Sequence, residues 1–248
     1  MNSEGNLGPV VVLGGSGGIG AATASAFAAA GARVGIAYKS GAAAAEAVRA
    51  GLAGAGHAVF QADVTDTASL MRLAAGARAE FGEVATLVNS AGFTKAIPHG
   101  DLDALDDAFI DRMFEANWRG QFAAIRAFRK TLEASGRGLV VNVSSIAGQN
   151  GIGSNVAYCA VKAGIDVMTK SLARALAPAI RVMAVSPGVV ATDFVPGRGA
   201  EALAKIAPTI PLKRVGTARD VARAILACAT HLDYSTGSIV LVDGGRAL

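Results

Sequence analysis

Short runs of Val, Leu and Ile alternate with Ala-rich stretches of helical length along the whole chain, and this alternation leaves few folds open. Residues 10–13, 33–38, 58–61, 86–89, 139–143, 181–186 and 238–242 read as strands. Several are almost continuously apolar, as expected of a parallel sheet whose two faces are both covered by helices. Residues 18–30 read as a helix stopped by Gly31, a residue suited to the left-handed position after a helix. Thr217 followed three residues later by Asp220 resembles a capping box opening a helix that runs to 229. Strict βα alternation predicts an α/β fold with a doubly wound, mostly parallel, seven-stranded sheet and right-handed crossovers. With 248 residues, 52% of them hydrophobic, one core suffices, so 1–248 is expected to be a single domain with a short flexible lead over 1–8.

Gly14-Gly15-Ser16-Gly17-Gly18-Ile19-Gly20 stands between the first strand and the first helix. Glycines there permit a tight turn and let the backbone approach a pyrophosphate at a helix N-terminus, where free N–H groups and the dipole favour an anion. The string fits two registers. Gly15, Gly17 and Gly20 match GxGxxG, while Gly14, Gly18 and Gly20 match GxxxGxG. A plain strand-to-helix turn is the bland alternative; the place directly after the first strand favours a dinucleotide. An acidic residue closing the second strand would accept ribose hydroxyls and repel a 2′-phosphate. This strand instead ends in Lys39-Ser40, which favours NADP(H) over NAD(H), the alternative being a solvated lysine at a strand end.

Tyr158 and Lys162 lie four residues apart in a helical stretch and therefore share one face. A phenol titrates near pH 10, and a nearby ammonium lowers that value toward the range useful for acid–base chemistry. Such a pair is common and by itself proves little. Thirteen residues upstream of Tyr158, however, a strand closes in Ser144-Ser145. A hydroxyl at the carboxyl end of a parallel strand points into the ligand crevice and can donate to an oxygen on which charge develops. Asn89-Ser90-Ala91-Gly92 and Pro187-Gly188 end two further strands on the same rim. Asn117 falls in the helical region after Asp106, where an amide could anchor a water or satisfy the helix backbone.

In order and spacing these motifs resemble the short-chain dehydrogenase/reductase family over nearly the whole chain: GxxxGxG, NSAG for the usual NNAG, the serine pair, YxxxK, and PG followed by Thr192. The resemblance implies a Rossmann-fold oxidoreductase interconverting a carbonyl and a secondary alcohol. It implies a tetrad in which Ser145 holds the carbonyl oxygen and Tyr158 protonates it as hydride arrives. Lys162 would bind the nicotinamide ribose and depress the Tyr158 pKa, and Asn117 would hold a water that relays protons to Lys162. Asp63-Val64 would meet the adenine, residues 89–92 would line the cofactor, and Val190 and Thr192 would hold the carboxamide. The closest flavour is similar to 3-oxoacyl-acyl-carrier-protein reductases. Leu13, Trp118 and Met183 depart from the family pattern, Trp118 being read as packing, and none touches the tetrad.

Substrate choice is expected to rest on residues 93–101, 146–154 and 193–211. Arg198 in the last stretch is read as a solvated loop residue, with attraction of an acidic substrate as the alternative. A net charge of +4 without a dense basic run gives no support to nucleic-acid binding. Cys159 and Cys228 make no disulfide framework, and His57, His99 and His231 show no metal spacing. Residues 1–9 lack a targeting pattern and no apolar run is long enough to span a bilayer, so a cytoplasmic protein free of membranes is expected. A homotetramer built through helices near 106–134 and 158–177 is what the resemblance implies for assembly. Two rivals remain: an NAD-dependent alcohol, sugar or polyol dehydrogenase, and a non-catalytic dinucleotide-binding regulator.

Overall fold

The computed structural model describes residues 7–248, so residues 1–6 of the lead expected over 1–8 lie outside the described residues. Strand β1 (Val10–Leu13) leads through the glycine turn into α1 (Gly18–Ala29) and β2 (Val34–Tyr38). The alternation continues with α2 (Ala42–Ala50), β3 (Ala58–Gln61), α3 (Thr67–Phe81) and β4 (Thr86–Asn89). Next come α4 (Asp107–Phe114), one turn of π-helix (Glu115–Arg119), α5 (Gly120–Ala134), β5 (Gly138–Val143) and the short α6 (Ala147–Asn150). The chain closes with α7 (Val156–Leu176), β6 (Ile180–Pro187), α8 (Ala200–Ile206), α9 (Ala218–Thr230) and β7 (Ile239–Val242).

The seven strands form one sheet in the order β3-β2-β1-β4-β5-β6-β7, and every pair is parallel. The expectation of a mostly parallel sheet thus sharpens to an entirely parallel one. The chain builds outward in one direction from β1 and then returns to start the other half at β4. That reversal opens a crevice at the carboxyl ends of β1 and β4, where open α/β sheets take their ligands. Register keeps the rim level: Leu13 pairs with Ala37 and Asn89, and Asn89 with Asn142.

Alternation along each strand explains why these strands are apolar throughout. Val11 and Leu13 join Leu87, Val140 and Val182 on one face, beneath Phe81, Phe128 and Ile165 of α3, α5 and α7. Val10 and Val12 join Val34, Ile36, Val88 and Val141 on the other, beneath Phe27 of α1 and Ile225 of α9. A polar residue on either face would be buried without water.

Element ends follow the sequence expectations closely. Gly31 adopts φ +86°, the left-handed conformation expected of it. Thr217 and Asp220 form a complete capping box on α9. Two features go beyond the sequence expectation. The helical region after Asp106 is interrupted by the π turn, and the stretch 193–211 contains α8 and a 3-10 turn (Ala207–Thr209). Among the described residues no helix is long and apolar enough to cross a membrane.

Candidate active site

A cavity of about 1250 Å³ lies along the carboxyl rim and runs from the glycine turn to Tyr158. At its first end, the backbone itself decides the glycine register. Gly14 has φ +73°, and a Cβ there would sit 2.9 Å from Ala91 Cα. A Cβ on Gly20 would sit 2.1 Å from the Gly14 carbonyl oxygen, whereas one on Gly17 would meet nothing within 4 Å. The GxxxGxG reading of Gly14, Gly18 and Gly20 is therefore the one the packing demands. Gly17 caps α1 without a side-chain bond, and the first turn carries no acidic residue. Ser16, Gly17, Gly18 and Ile19 line the cavity at the start of α1, where the first N–H groups of a helix have no partner within it and suit an anion.

Lys39 and Ser40 line the same end, but Lys39 is not an isolated cation. Its Nζ lies 2.9 Å from Asp63 Oδ2. Thr65 donates to Asp63 Oδ1 from its amide at 2.9 Å and its hydroxyl at 2.7 Å. Burial works to raise the Asp63 pKa, yet the bonds from Thr65 and Lys39 outweigh it and hold the carboxyl below its usual value. Val64 also faces the cavity.

Ser90, Ala91 and Gly92 line the middle of the cavity, but Asn89 does not. Its Nδ2 donates to Asn142 Oδ1 at 2.9 Å, and Asn142 Nδ2 donates to Thr169 Oγ1 at 3.0 Å. This buried relay ties β4 to β5 and β5 to α7 beneath the floor. Asn142 and Thr169 carry no motif, and only an Asn inside an otherwise apolar strand hints at them.

Asn117 sits in the π turn and also lies outside the cavity lining. Its Oδ1 accepts from Phe93 N at 2.9 Å and its Nδ2 donates to Phe93 O at 2.8 Å. The side chain is thus tied to the backbone just beyond β4, and its Nδ2 also lies 3.6 Å from Met113 Sδ. Gly20 likewise serves the turn from behind rather than lining the cavity.

At the far end, Ser145, Tyr158 and Lys162 converge. Tyr158 is the third residue of α7, and Asn155 caps that helix by accepting from Tyr158 N at 2.7 Å. Asn155 is fully buried and donates in turn to Lys95 O at 2.8 Å. Ser145 Oγ accepts from Ala147 N at 3.2 Å and donates to Pro187 O at 3.5 Å, which aims the hydroxyl across the rim. Lys162 Nζ donates to Val143 O at 2.8 Å and lies 5.5 Å from the centre of the Tyr158 ring. Burial pushes the Tyr158 pKa up to about 12, against a hydrogen bond with Ser145 and the charge of Arg198. Ser145 and Arg198 both work to lower the phenol pKa, and burial outweighs them. Burial also lowers the Lys162 pKa to about 8, opposed by the Asp166 carboxylate one turn on.

The strand end of β6 completes the rim. A Cβ on Gly188 would lie 2.9 Å from Asp243 Cα, so the chain can turn here only without a side chain. Val190 bridges to Gly216, with Ala191 N donating to Gly216 O at 2.9 Å, and this holds Val190 and Thr192 at the cavity wall. Beyond them Phe194 packs 6.0 Å from the Tyr158 ring. Arg198 is half-buried in the cavity wall, which corrects the solvated reading of the sequence. Trp118 stacks on Phe122 at 6.0 Å and rests against Gly164, a packing role as expected.

Comparison with known proteins agrees with this geometry. A family model described as enoyl-(acyl carrier protein) reductase matches residues 14–247. The chain is 38% identical to a cis-4-hydroxycyclohexanecarboxylate dehydrogenase of Sinomonas cyclohexanicum, over 95% of this chain and 94% of that one. It is 35% identical to the 3-oxoacyl-(acyl-carrier-protein) reductase FabG of Escherichia coli (strain K12), over 99% and 98% of the two chains. A crystal structure of a protein assigned to the short-chain dehydrogenases/reductases from Burkholderia xenovorans superposes with a TM-score of 0.89 at 34% identity, covering 99% of both chains. The chain belongs to the short-chain dehydrogenase/reductase family. It is an oxidoreductase acting on carbonyl and alcohol groups, and the family implies a nicotinamide dinucleotide, NAD(P)(H), as cofactor.

Proposed function

We propose that this protein reduces a carbonyl to a secondary alcohol with NADPH, using Ser145, Tyr158 and Lys162 at the reacting centre and Asn117 as a positioning residue. The observation that carries the reading is the convergence of Ser145, Tyr158 and Lys162 at one end of a cavity whose other end is a glycine cradle. The cradle fits a dinucleotide because any Cβ at Gly14 or Gly20 would fill the space that lets the turn form. When bound, the nicotinamide supplies or accepts a hydride at the substrate carbon. This chain's own groups then handle the oxygen. Ser145 donates to it, and Tyr158 passes it a proton as the C=O π pair becomes a lone pair on oxygen.

A phenol with a pKa near 12 stays loaded with its proton across the neutral range, which suits reduction. Lys162 is mostly charged below about pH 8 and sits where it can hold the ribose and steady the phenolate left behind. Asn117 fixes the Phe93 backbone and thereby the loop over the middle of the cavity. Cofactor contacts fall to Gly14, Ser16–Ile19, Lys39, Ser40, Asp63, Val64, Ser90–Gly92, Pro187, Gly188, Val190 and Thr192, all of which line the cavity. Lys39 and Ser40 support NADP(H) over NAD(H), since a 2′-phosphate there meets a cation rather than a carboxylate. The relatives' names make a 3-oxoacyl thioester or a cyclic hydroxy acid the natural starting substrates. The same reading takes the chain as one domain, cytoplasmic, assembled as a homotetramer through α4, α5 and α7.

The NAD-dependent rival keeps one observation in its favour: Lys39 is already engaged by Asp63. Oxidation of NADPH and of NADH, followed at equal concentration with a panel of linear and cyclic ketones and 3-oxoacyl thioesters, separates the two. Turnover with NADPH favoured supports the proposal. Strict preference for NADH, or binding of either dinucleotide without turnover of any carbonyl, overturns it.

A further inference from the structure

The substrate end of the cavity carries positive charge that the protein itself does not neutralise. The Arg198 guanidinium makes one hydrogen bond among the described residues, from Nη2 to Val190 O at 3.3 Å, and its Nε is buried without an acceptor. Arg246 lines the same space and donates to the Thr209 hydroxyl at 2.9 Å. Neither guanidinium has a carboxylate partner among the described residues, whereas Lys39 at the other end of the cavity holds Asp63. The two guanidinium charges are close enough to repel each other, and that of Arg198 reaches the Tyr158 hydroxyl. Holding an arginine half-buried without an anion costs free energy that a ligand can return. Phe93, Ile152, Phe194 and Ile206 add apolar surface to the wall of the same cavity, which also carries Asp193.

A cationic head above an apolar wall, next to a proton donor for a carbonyl oxygen, defines the ligand. We propose that the substrate is an oxo acid, with its carboxylate held by Arg198, its hydrocarbon body against the apolar wall and its carbonyl at Ser145 and Tyr158. The proposal rests on the carbonyl-reductase reading of the same site. It excludes a neutral ketone or sugar as the preferred substrate, because neither would give the guanidinium a counter-charge. Arg198 acts as a specificity residue whose planar fork suits a carboxylate.

The test compares each of a set of linear oxo acids of graded length, and 4-oxocyclohexanecarboxylate, with its own carboxamide. The wild-type protein is expected to favour the acid in kcat/KM by about 10–100-fold, the worth of a charge-assisted hydrogen bond. In R198Q that ratio should fall to near one, and R198K should restore part of it. The NADPH dissociation constant, read by fluorescence titration, reports separately on the cofactor. Equal handling of acid and amide by the wild type, or an acid preference that survives in R198Q, overturns the proposal while leaving carbonyl reduction intact. Weaker NADPH binding in R198Q overturns it too, by assigning the guanidinium to the cofactor. Turnover of no member of either set overturns the proposal, and failure on the ketone and 3-oxoacyl thioester panel as well, with NADPH or NADH, overturns the underlying reading with it.

Discussion

The two ends of the cavity are built from different materials. The end at β1, α1 and β4 is made of backbone: Gly14 and Gly20 bring main chain to within contact of main chain, Gly18 takes a φ of +50°, and on the proposed reading the N–H groups at the start of α1 do the recognising. The end over Tyr158 is made of side chains: Phe194, Arg198 and Ile206 hang from a segment whose β6 end is held by the Val190–Gly216 bridge. A backbone cradle suits a ligand that does not vary, and side chains on a connecting segment can change without disturbing the sheet. On the proposed reading, the first end therefore selects the cofactor class and the second the individual substrate.

The sharpest way to break this division is to remove the one proton donor. Tyr158→Phe should lower kcat by about 10³-fold, within the range for a lost general acid, while NADPH still binds. A variant that keeps near-normal turnover would sink the mechanism. At the cradle, Gly20→Ala forces a Cβ to 2.1 Å from the Gly14 carbonyl oxygen. It should destabilise the fold by about 1–3 kcal/mol and weaken NADPH binding about tenfold or more, measured by melting and by titration. Equal weakening for substrate alone would blur the two ends.

A third test uses pH. Lys162 loses its proton as pH rises through about 8, while Tyr158 keeps its own until about 12. For reduction, kcat/KM should thus be level below pH 7 and fall along a single limb centred near 8. Lys162→Arg should carry that limb beyond the accessible range, and a limb unmoved in that variant would assign it to another group. Lys39→Ala sharpens the cofactor end alone: the preference for NADPH over NADH should drop about fivefold, corresponding to about 1 kcal/mol for an exposed ionic contact. An unchanged ratio would remove Lys39 from the phosphate. Thr217→Ala should cost about 1 kcal/mol of stability through its lost cap and leave kinetics untouched. A kinetic effect there would show that α9 is coupled to the cavity more tightly than its packing suggests.

The contrast between the two ends also decides what the sequence could disclose. The strands were readable because burial on both faces favours runs of Val, Leu and Ile, and the turn because only glycine tolerates such approaches. Ser145, Tyr158 and Lys162 were readable from spacing. Side-chain directions were not. Asn89 and Asn117 carry the right names at the right places, yet one is turned to Asn142 and the other to Phe93. Arg198 looked like any loop arginine until α8 and the turn after it folded the segment inward. The π turn that sets Asn117 spans only Glu115–Arg119, too few residues to establish an apolar period of their own.

The Asn155 cap on α7 has a consequence in time. The opening turn of a helix is where it frays most readily, and the proton donor stands in that turn. A cap worth about 1 kcal/mol makes the frayed form about fivefold rarer. Because Asn155 is itself anchored to Lys95 O, fraying would also have to release the segment beyond β4. The phenol is thus in position when a substrate arrives, and a turnover need not wait for the helix to wind itself again.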